Sequence, residues 1–261
     1  MASSRASASG GLAVTFDLWQ TLIFEADGNE NSMARRDART RYLTRELIRL
    51  GETVDQGVVR QGFTDLSKEI TDGHDYGRDV PYERWISILV ERLVPGLEQR
   101  VGAEEILEIG RLVDQTFLEA PPLLLEGTED VLNELAERGL KIGLISNTGL
   151  TSPQMFRRWF RELEIIDNFD HLAFSNEMEV AKPDSRIFET TVRSMQVDAA
   201  NTLHIGDNIH TDVGGAAAVG MSTVWVRGGT NSPVEKTVEP DYKVDSILEI
   251  PSVVDNWMGA R

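Results

Sequence analysis

Between residues 126 and 250, short apolar runs alternate with amphipathic stretches, and few folds accommodate that order. Thr128–Arg138 has apolar positions at helical spacing and stops at Gly139; Lys141–Ser146 is a strand-like run. Ser152–Leu163 reads as helix, His171–Ser175 as strand, Ser185–Met195 as helix and Thr202–Gly206 as strand. Thr211–Val219 is a helix ended by Gly220, Ser222–Val226 a strand, and Tyr242–Val244 a last short strand before a closing helix after Glu249. Strands and helices of these lengths in alternation specify a mostly parallel, Rossmann-like α/β sheet with helices on both faces.

One strand stands apart. Ala13, Val14 and Phe16 form an apolar run that ends on Asp17. Four helical patterns separate it from the alternating region: Ser32–Leu50, Val54–Ile70, Pro81–Val94 and Ala103–Leu118. Gly51, Thr71-Asp72-Gly73, Pro95-Gly96 and Pro121-Pro122 stop them in turn. The expected organisation is an α/β core of residues 12–24 and 122–261, an all-helical cap of residues 25–121, and a disordered Ser/Ala/Gly-rich tail at residues 1–11.

Composition excludes several function classes. The formal net charge of -17 argues against nucleic acid, because binding by counterion release needs a basic face. Cysteine is absent, so no disulfide framework, thiolate nucleophile or thiolate zinc site exists. No apolar run approaches the length that spans a bilayer, and the first residues do not form a secretory signal. The expectation is a cytoplasmic protein without a membrane partner, monomeric or homodimeric.

The residues able to do chemistry sit where the strands end, which is where open α/β sheets bind ligands. Asp17 follows the first strand. Ser146-Asn147-Thr148 follows the second, and its hydroxyl and backbone N–H groups are donors suited to a phosphate oxygen. Asp207 and Asp212 follow Gly206, and Lys182 lies in Lys182-Pro183-Asp184. Two carboxylates near Asp17 would make a hard oxygen site suited to Mg²⁺. Each residue alone also has an ordinary reading: a turn cap for Asp17, a capped turn at Ser146, a solvated loop for Lys182, a helix cap for Asp212.

Taken together, the order and spacing of these four stretches resemble the motifs of the haloacid dehalogenase-like (HAD) hydrolase superfamily, over about Leu12 to Val254. The resemblance implies that Asp17 is a nucleophile forming a covalent intermediate, with Thr21 supporting it. It gives Ser146, Asn147 and Lys182 to the phosphoryl group. It gives Mg²⁺ to Asp17, Asp207 and the backbone carbonyl of residue 19. It lets Asp212 orient Lys182 or a metal-bound water. It also implies a tight turn and small hairpin after the first strand, and a small-molecule substrate, a phosphomonoester in most members.

One position departs from that pattern. Phosphatases of the superfamily carry a second Asp two residues after the nucleophile, and here it is Trp19. An indole donates a hydrogen bond but shuttles no proton, and losing a general acid costs about 10²–10⁴ in rate. Three readings stay open: a phosphatase whose proton comes from elsewhere, a metal-independent 2-haloacid dehalogenase, or a non-catalytic phosphate- and metal-binding protein. Asp207 favours a metal, since a further carboxylate beside Asp17 would otherwise lack a counter-charge. Phe188, where dehalogenases have Tyr, points the same way.

The expected cap adds other candidates. The turn holding His74 and Arg78, with Tyr82 beyond it, reads as a surface loop, with the alternative that it reaches over the site and His74 replaces the missing acid. Arg35, Arg36, Arg39 and Arg45 read as a mostly solvated basic face, of which one could meet a substrate anion. His204 reads as a strand residue in the core, and neither it nor His210 has a metal-type neighbour in sequence.

Overall fold

The computed structural model describes residues 11–25, 30–228 and 238–261. Apart from Gly11, the tail expected at residues 1–11 lies outside them, as do residues 26–29 of the expected small hairpin.

The strands are β1 (Ala13–Phe16), β4 (Lys141–Ser146), β5 (His171–Phe174), β6 (Thr202–Gly206), β7 (Ser222–Val226) and β8 (Tyr242–Val244), all parallel in the order β5-β4-β1-β6-β7-β8. Every residue of β1 is buried, as an uncharged run between two partners demands. Phe16 pairs with Leu144 on one side and Ile205 on the other, so β1, β4 and β6 end on one rim. Helices α6 (Thr128–Glu137), α7 (Pro153–Glu162), α9 (Ser185–Ser194) and α11 (Ile250–Gly259) follow the strands; α7 and α9 start on the side-chain caps Ser152 and Asp184.

Between β2 (Ile23–Phe24) and β3 (Leu123–Leu124) lie α1 (Glu30–Arg49), α2 (Gln56–His74), α3 (Tyr82–Leu93), α4 (Leu97–Val101) and α5 (Ala103–Glu119). β2 and β3 pair antiparallel, so the chain leaves and returns side by side. The helices bury their apolar stripes around a core of their own, with Leu47, Leu66, Leu89 and Val113 at 0% exposure. The two cores also interlock: Phe117 of α5 packs edge-on against Phe156 and Trp159 of α7.

Some elements differ from the sequence expectation. The helix expected at Thr211–Val219 is a π-type turn, Ile209–Gly214, followed by α10 (Gly215–Ala218). Asn208 caps it by accepting from His210 and Thr211 N–H, and Gly215 lies against the Phe188 ring. Two short helices, α4 and α8 (Ser175–Met178), are too brief to leave a periodic pattern.

Candidate active site

The rim gathers residues that lie far apart in sequence. Asp17 leaves β1 with its backbone N–H on the Ile205 carbonyl at 2.8 Å, which fixes it between β1 and β6. Lys182 Nζ donates to Asp17 Oδ1 at 2.5 Å and to Asp212 Oδ1 at 2.6 Å. Thr21, four residues into the tight turn, donates to Asp17 Oδ2 at 3.3 Å. Asp17, Asp207 and Asp212 each present a carboxylate oxygen, and these oxygens lie within 4.8 Å of one another. Ser146 closes β4, fully buried, with its hydroxyl 3.4 Å from the Asn147 carbonyl.

Each of these residues is held by its neighbours. The Asn147 side chain grips the backbone of Lys182 twice: Nδ2 donates to the Lys182 carbonyl at 2.9 Å and Oδ1 accepts from its N–H at 2.8 Å. That side chain, expected to meet substrate, is engaged in placing Lys182. Asp212 accepts from Asn208 N–H at 2.9 Å, so Asn208, not Asp212, caps the following turn. Gly206 is obligatory, because a Cβ there would meet the Asp212 carboxyl carbon at 2.3 Å. Trp225 donates from Nε1 to the Asp207 carbonyl at 2.9 Å.

The loop expected to lie at the surface is instead docked on the core. Gly77 O accepts from Ala181 N–H at 3.1 Å, and Arg78 bridges Val180, two residues before Lys182. Gly77 has φ +71°, and a Cβ there would meet Asp184 Cβ at 2.8 Å. Asp79, 6% exposed, accepts from Ser175 Oγ at 2.6 Å, from Trp85 Nε1 at 2.8 Å and from Val80 N–H at 2.7 Å, with His74 Nε2 at 2.9 Å. His74 is thereby taken up by Asp79, and Tyr82 is buried with its hydroxyl on the Gly110 carbonyl. The basic face of α1 is only partly solvated: Arg35 is buried, binding Glu25 and the Ala120 carbonyl, while Arg36 and Arg45 are exposed.

Among the described residues, the buried carboxylates of Asp17, Asp207 and Asp212 share the rim with Lys182, which pairs with Asp17 and Asp212. Burial pushes Asp17 up to about 8; Lys182 partly offsets this, and the charges of Asp212 and Asp207 add to it. Burial alone would also raise Asp212, but Lys182 and His204 outweigh it and hold that carboxyl well below its usual range. Lys182 stays protonated, because its two carboxylates outweigh burial. Burial lowers His204, leaving it neutral, with Nδ1 2.9 Å from Thr15 Oγ1 and Nε2 3.5 Å from Asp212. His204 lies in the strand core as expected, and this contact to Asp212 could not be read from sequence. An all-oxygen donor set of three carboxylates fits a hard divalent cation. Trp19, half-buried, meets Phe156 edge-on at 6.2 Å, so no carboxylate stands at that position.

A family model for haloacid dehalogenase-like hydrolases matches residues 12–220. The chain belongs to this family. The HAD-like chain is 28% identical, over 95% of both chains, to a glyceraldehyde 3-phosphate phosphatase of Pyrococcus abyssi. It is 31% identical to an (S)-2-haloacid dehalogenase of Pseudomonas sp. strain YL, over 50% of this chain and 54% of that one. Its fold resembles a crystal structure of a 2-haloacid dehalogenase from Pseudomonas syringae pv. Tomato, with TM-score 0.68 and 21% identity over 94% and 99% of the two chains. The HAD-like sheet and helices are therefore those the sequence led one to expect, and the protein is a hydrolase. No helix among the described residues is long and apolar enough to cross a membrane.

Proposed function

We propose that this HAD-like protein is a Mg²⁺-dependent phosphatase of small phosphorylated metabolites, working through an aspartyl-phosphate on Asp17. The observation that carries this reading is the cluster of the Asp17, Asp207 and Asp212 carboxylates beside Lys182. A dehalogenase attacking carbon has no use for the third carboxylate, which only opposes ionisation of the nucleophile.

Asp17 attacks phosphorus, a P–O bond to Asp17 forms and the ester P–O bond breaks. Water then cleaves the aspartyl-phosphate, releasing inorganic phosphate and restoring the carboxylate. Lys182 and Ser146 hold the phosphoryl oxygens, Thr21 steadies Asp17, and Asp212 fixes Lys182. Asp17, Asp207 and the Trp19 carbonyl would hold Mg²⁺, which neutralises the carboxylates and the phosphoryl group. Trp19 gives no proton to the leaving oxygen, which takes one from water. The helices of residues 25–121 serve as the cap over the rim, and the phosphatase relatives make small sugar phosphates the class to assay first.

Phosphate release with Mg²⁺, compared between the native protein and Asp17→Asn, tests this. No difference across a broad panel of phosphomonoesters rejects it. The aromatic Trp19 favours a second reading, a dehalogenase, which requires metal-free halide release from a 2-haloacid that Asp17→Asn abolishes. Binding of Mg²⁺ and phosphate without turnover would instead mark a non-catalytic member.

A further inference from the structure

A pocket of about 490 Å³ lies between α1, α2 and the loop after β4. Arg36 and Arg39 enter it from α1 and Arg60 and Lys68 from α2; Phe63 and Leu150 supply apolar lining. One carboxylate, Asp72, stands among these four cations. Arg60 also pairs with Asp37 at 2.6 Å, an exposed contact of small energetic weight. In a chain of net charge -17 this is a local reversal of sign.

Arg39 is the unusual member. Its Nη2 donates to the Leu150 carbonyl at 2.5 Å and to Thr151 Oγ1 at 3.0 Å. Its Nε is buried with no hydrogen-bond partner, and among the described residues no carboxylate lies within 4.0 Å of the guanidinium. Burial, with Arg35 beside it, pulls its pKa down to about 10 against the opposing charges of Asp114 and Glu25, so it remains a cation at neutral pH. Those carboxylates stand beyond ion-pair distance, and a bound oxyanion in direct contact adds a charge-assisted hydrogen bond that they do not make.

We propose that this pocket binds the oxyanion group, carboxylate or phosphate, of a small molecule, with Arg39 as its innermost partner. The same guanidinium holds Leu150, four residues beyond Ser146, so an anion seated here also fixes the loop that leaves the catalytic rim. Its source is either the far end of a substrate or a separate effector. The binding claim does not rest on the phosphatase reading.

The test is calorimetric titration of citrate into the full chain in metal-free buffer, with the native protein, Lys68→Met, Arg60→Met, Arg39→Met and Asp17→Asn. The expected result is saturable binding, weakened at least tenfold by Lys68→Met with Arg60→Met and by Arg39→Met, and unchanged by Asp17→Asn. Both α2 side chains are exposed, so those variants report even if Arg39→Met fails to fold. Absence of binding, or binding lost in Asp17→Asn and untouched by the α2 variants, overturns the proposal. Citrate added to p-nitrophenyl phosphate turnover at fixed free Mg²⁺ then assigns the source. A raised KM alone places the anion on the substrate's path, whereas an altered kcat marks an effector; either supports the site.

Discussion

Asp79, in the loop between α2 and α3, accepts a 2.6 Å hydrogen bond from Ser175 at the end of β5. The same Ser175 Oγ accepts from Thr148 N–H at 2.8 Å, two residues beyond Ser146. A carboxylate of the helical insertion thus reaches the turn after Ser146 and Asn147, while its own loop pairs with the residues before Lys182. Helical insertion and rim are joined by hydrogen bonds as well as by the Phe117 packing.

Asp79→Ala leaves Trp85 Nε1, Val80 N–H and the Ser175 hydroxyl without their acceptor. Buried donors so stranded cost about 1–3 kcal/mol each, so the variant is expected to lose about 3 kcal/mol or more. Urea unfolding measures this. Asp79→Asn keeps one acceptor oxygen and is expected to lose less, while still lowering kcat through displacement of the Lys182 loop.

The stability of the metal-free protein should depend on Asp17. Its folded pKa, about 8, lies above the 3.8 of the unfolded chain, so the folded state binds the proton more tightly. The Asp17 contribution is therefore fully present below about pH 4, falls as pH rises toward 8 and then levels off, while the lowered Asp212 loses its own contribution only at more acid pH. Urea unfolding in EDTA from pH 4 to 9 should show this fall, and Asp17→Asn should abolish it. Saturating Mg²⁺, which favours the ionised carboxylate, should reduce it.

Asp207→Asn is expected to weaken Mg²⁺ binding by more than tenfold, read by calorimetry at fixed pH. Removing Mg²⁺ with EDTA is expected to abolish phosphate release, and adding it back to restore activity. Asp212→Asn should act differently, because both its oxygens already face Lys182 and Asn208. It is expected to lower kcat with a smaller change in Mg²⁺ affinity.

Trp19→Asp restores a carboxylic acid beside the leaving group. A positioned general acid contributes about 10²–10⁴ in rate, so turnover of alkyl phosphates should rise toward that range. Aryl phosphates, whose leaving groups need little protonation, should gain far less. Equal gains on both classes would reject the view that Trp19 limits proton transfer. Losing the Phe156 contact should cost about 1–3 kcal/mol, read from thermal unfolding.

Gly206→Ala places a methyl group 2.3 Å from the Asp212 carboxyl carbon. Overpacking of this kind costs about 1–3 kcal/mol, and the displaced Asp212 frees Lys182. The expected outcome is a loss in both kcat and urea midpoint.

The sequence by itself determined the sheet, because strands such as Lys141–Ser146 and Thr202–Gly206 are short uncharged runs whose period and punctuation are local properties. It also singled out Asp17, Ser146, Lys182, Asp207 and Asp212, since polar residues at strand ends recur at recognisable spacing. Only the tertiary structure decided which partner each would meet. Nothing local marks Asp79 as buried, Asn147 as the clamp on Lys182, or Arg39 as a cation whose Nε is buried without a hydrogen-bond partner. Those properties arise where helices of the insertion pack on loops of the core, and burial and pairing at such a junction depend on residues more than a hundred positions apart, as with Arg39 and Thr151, 112 apart.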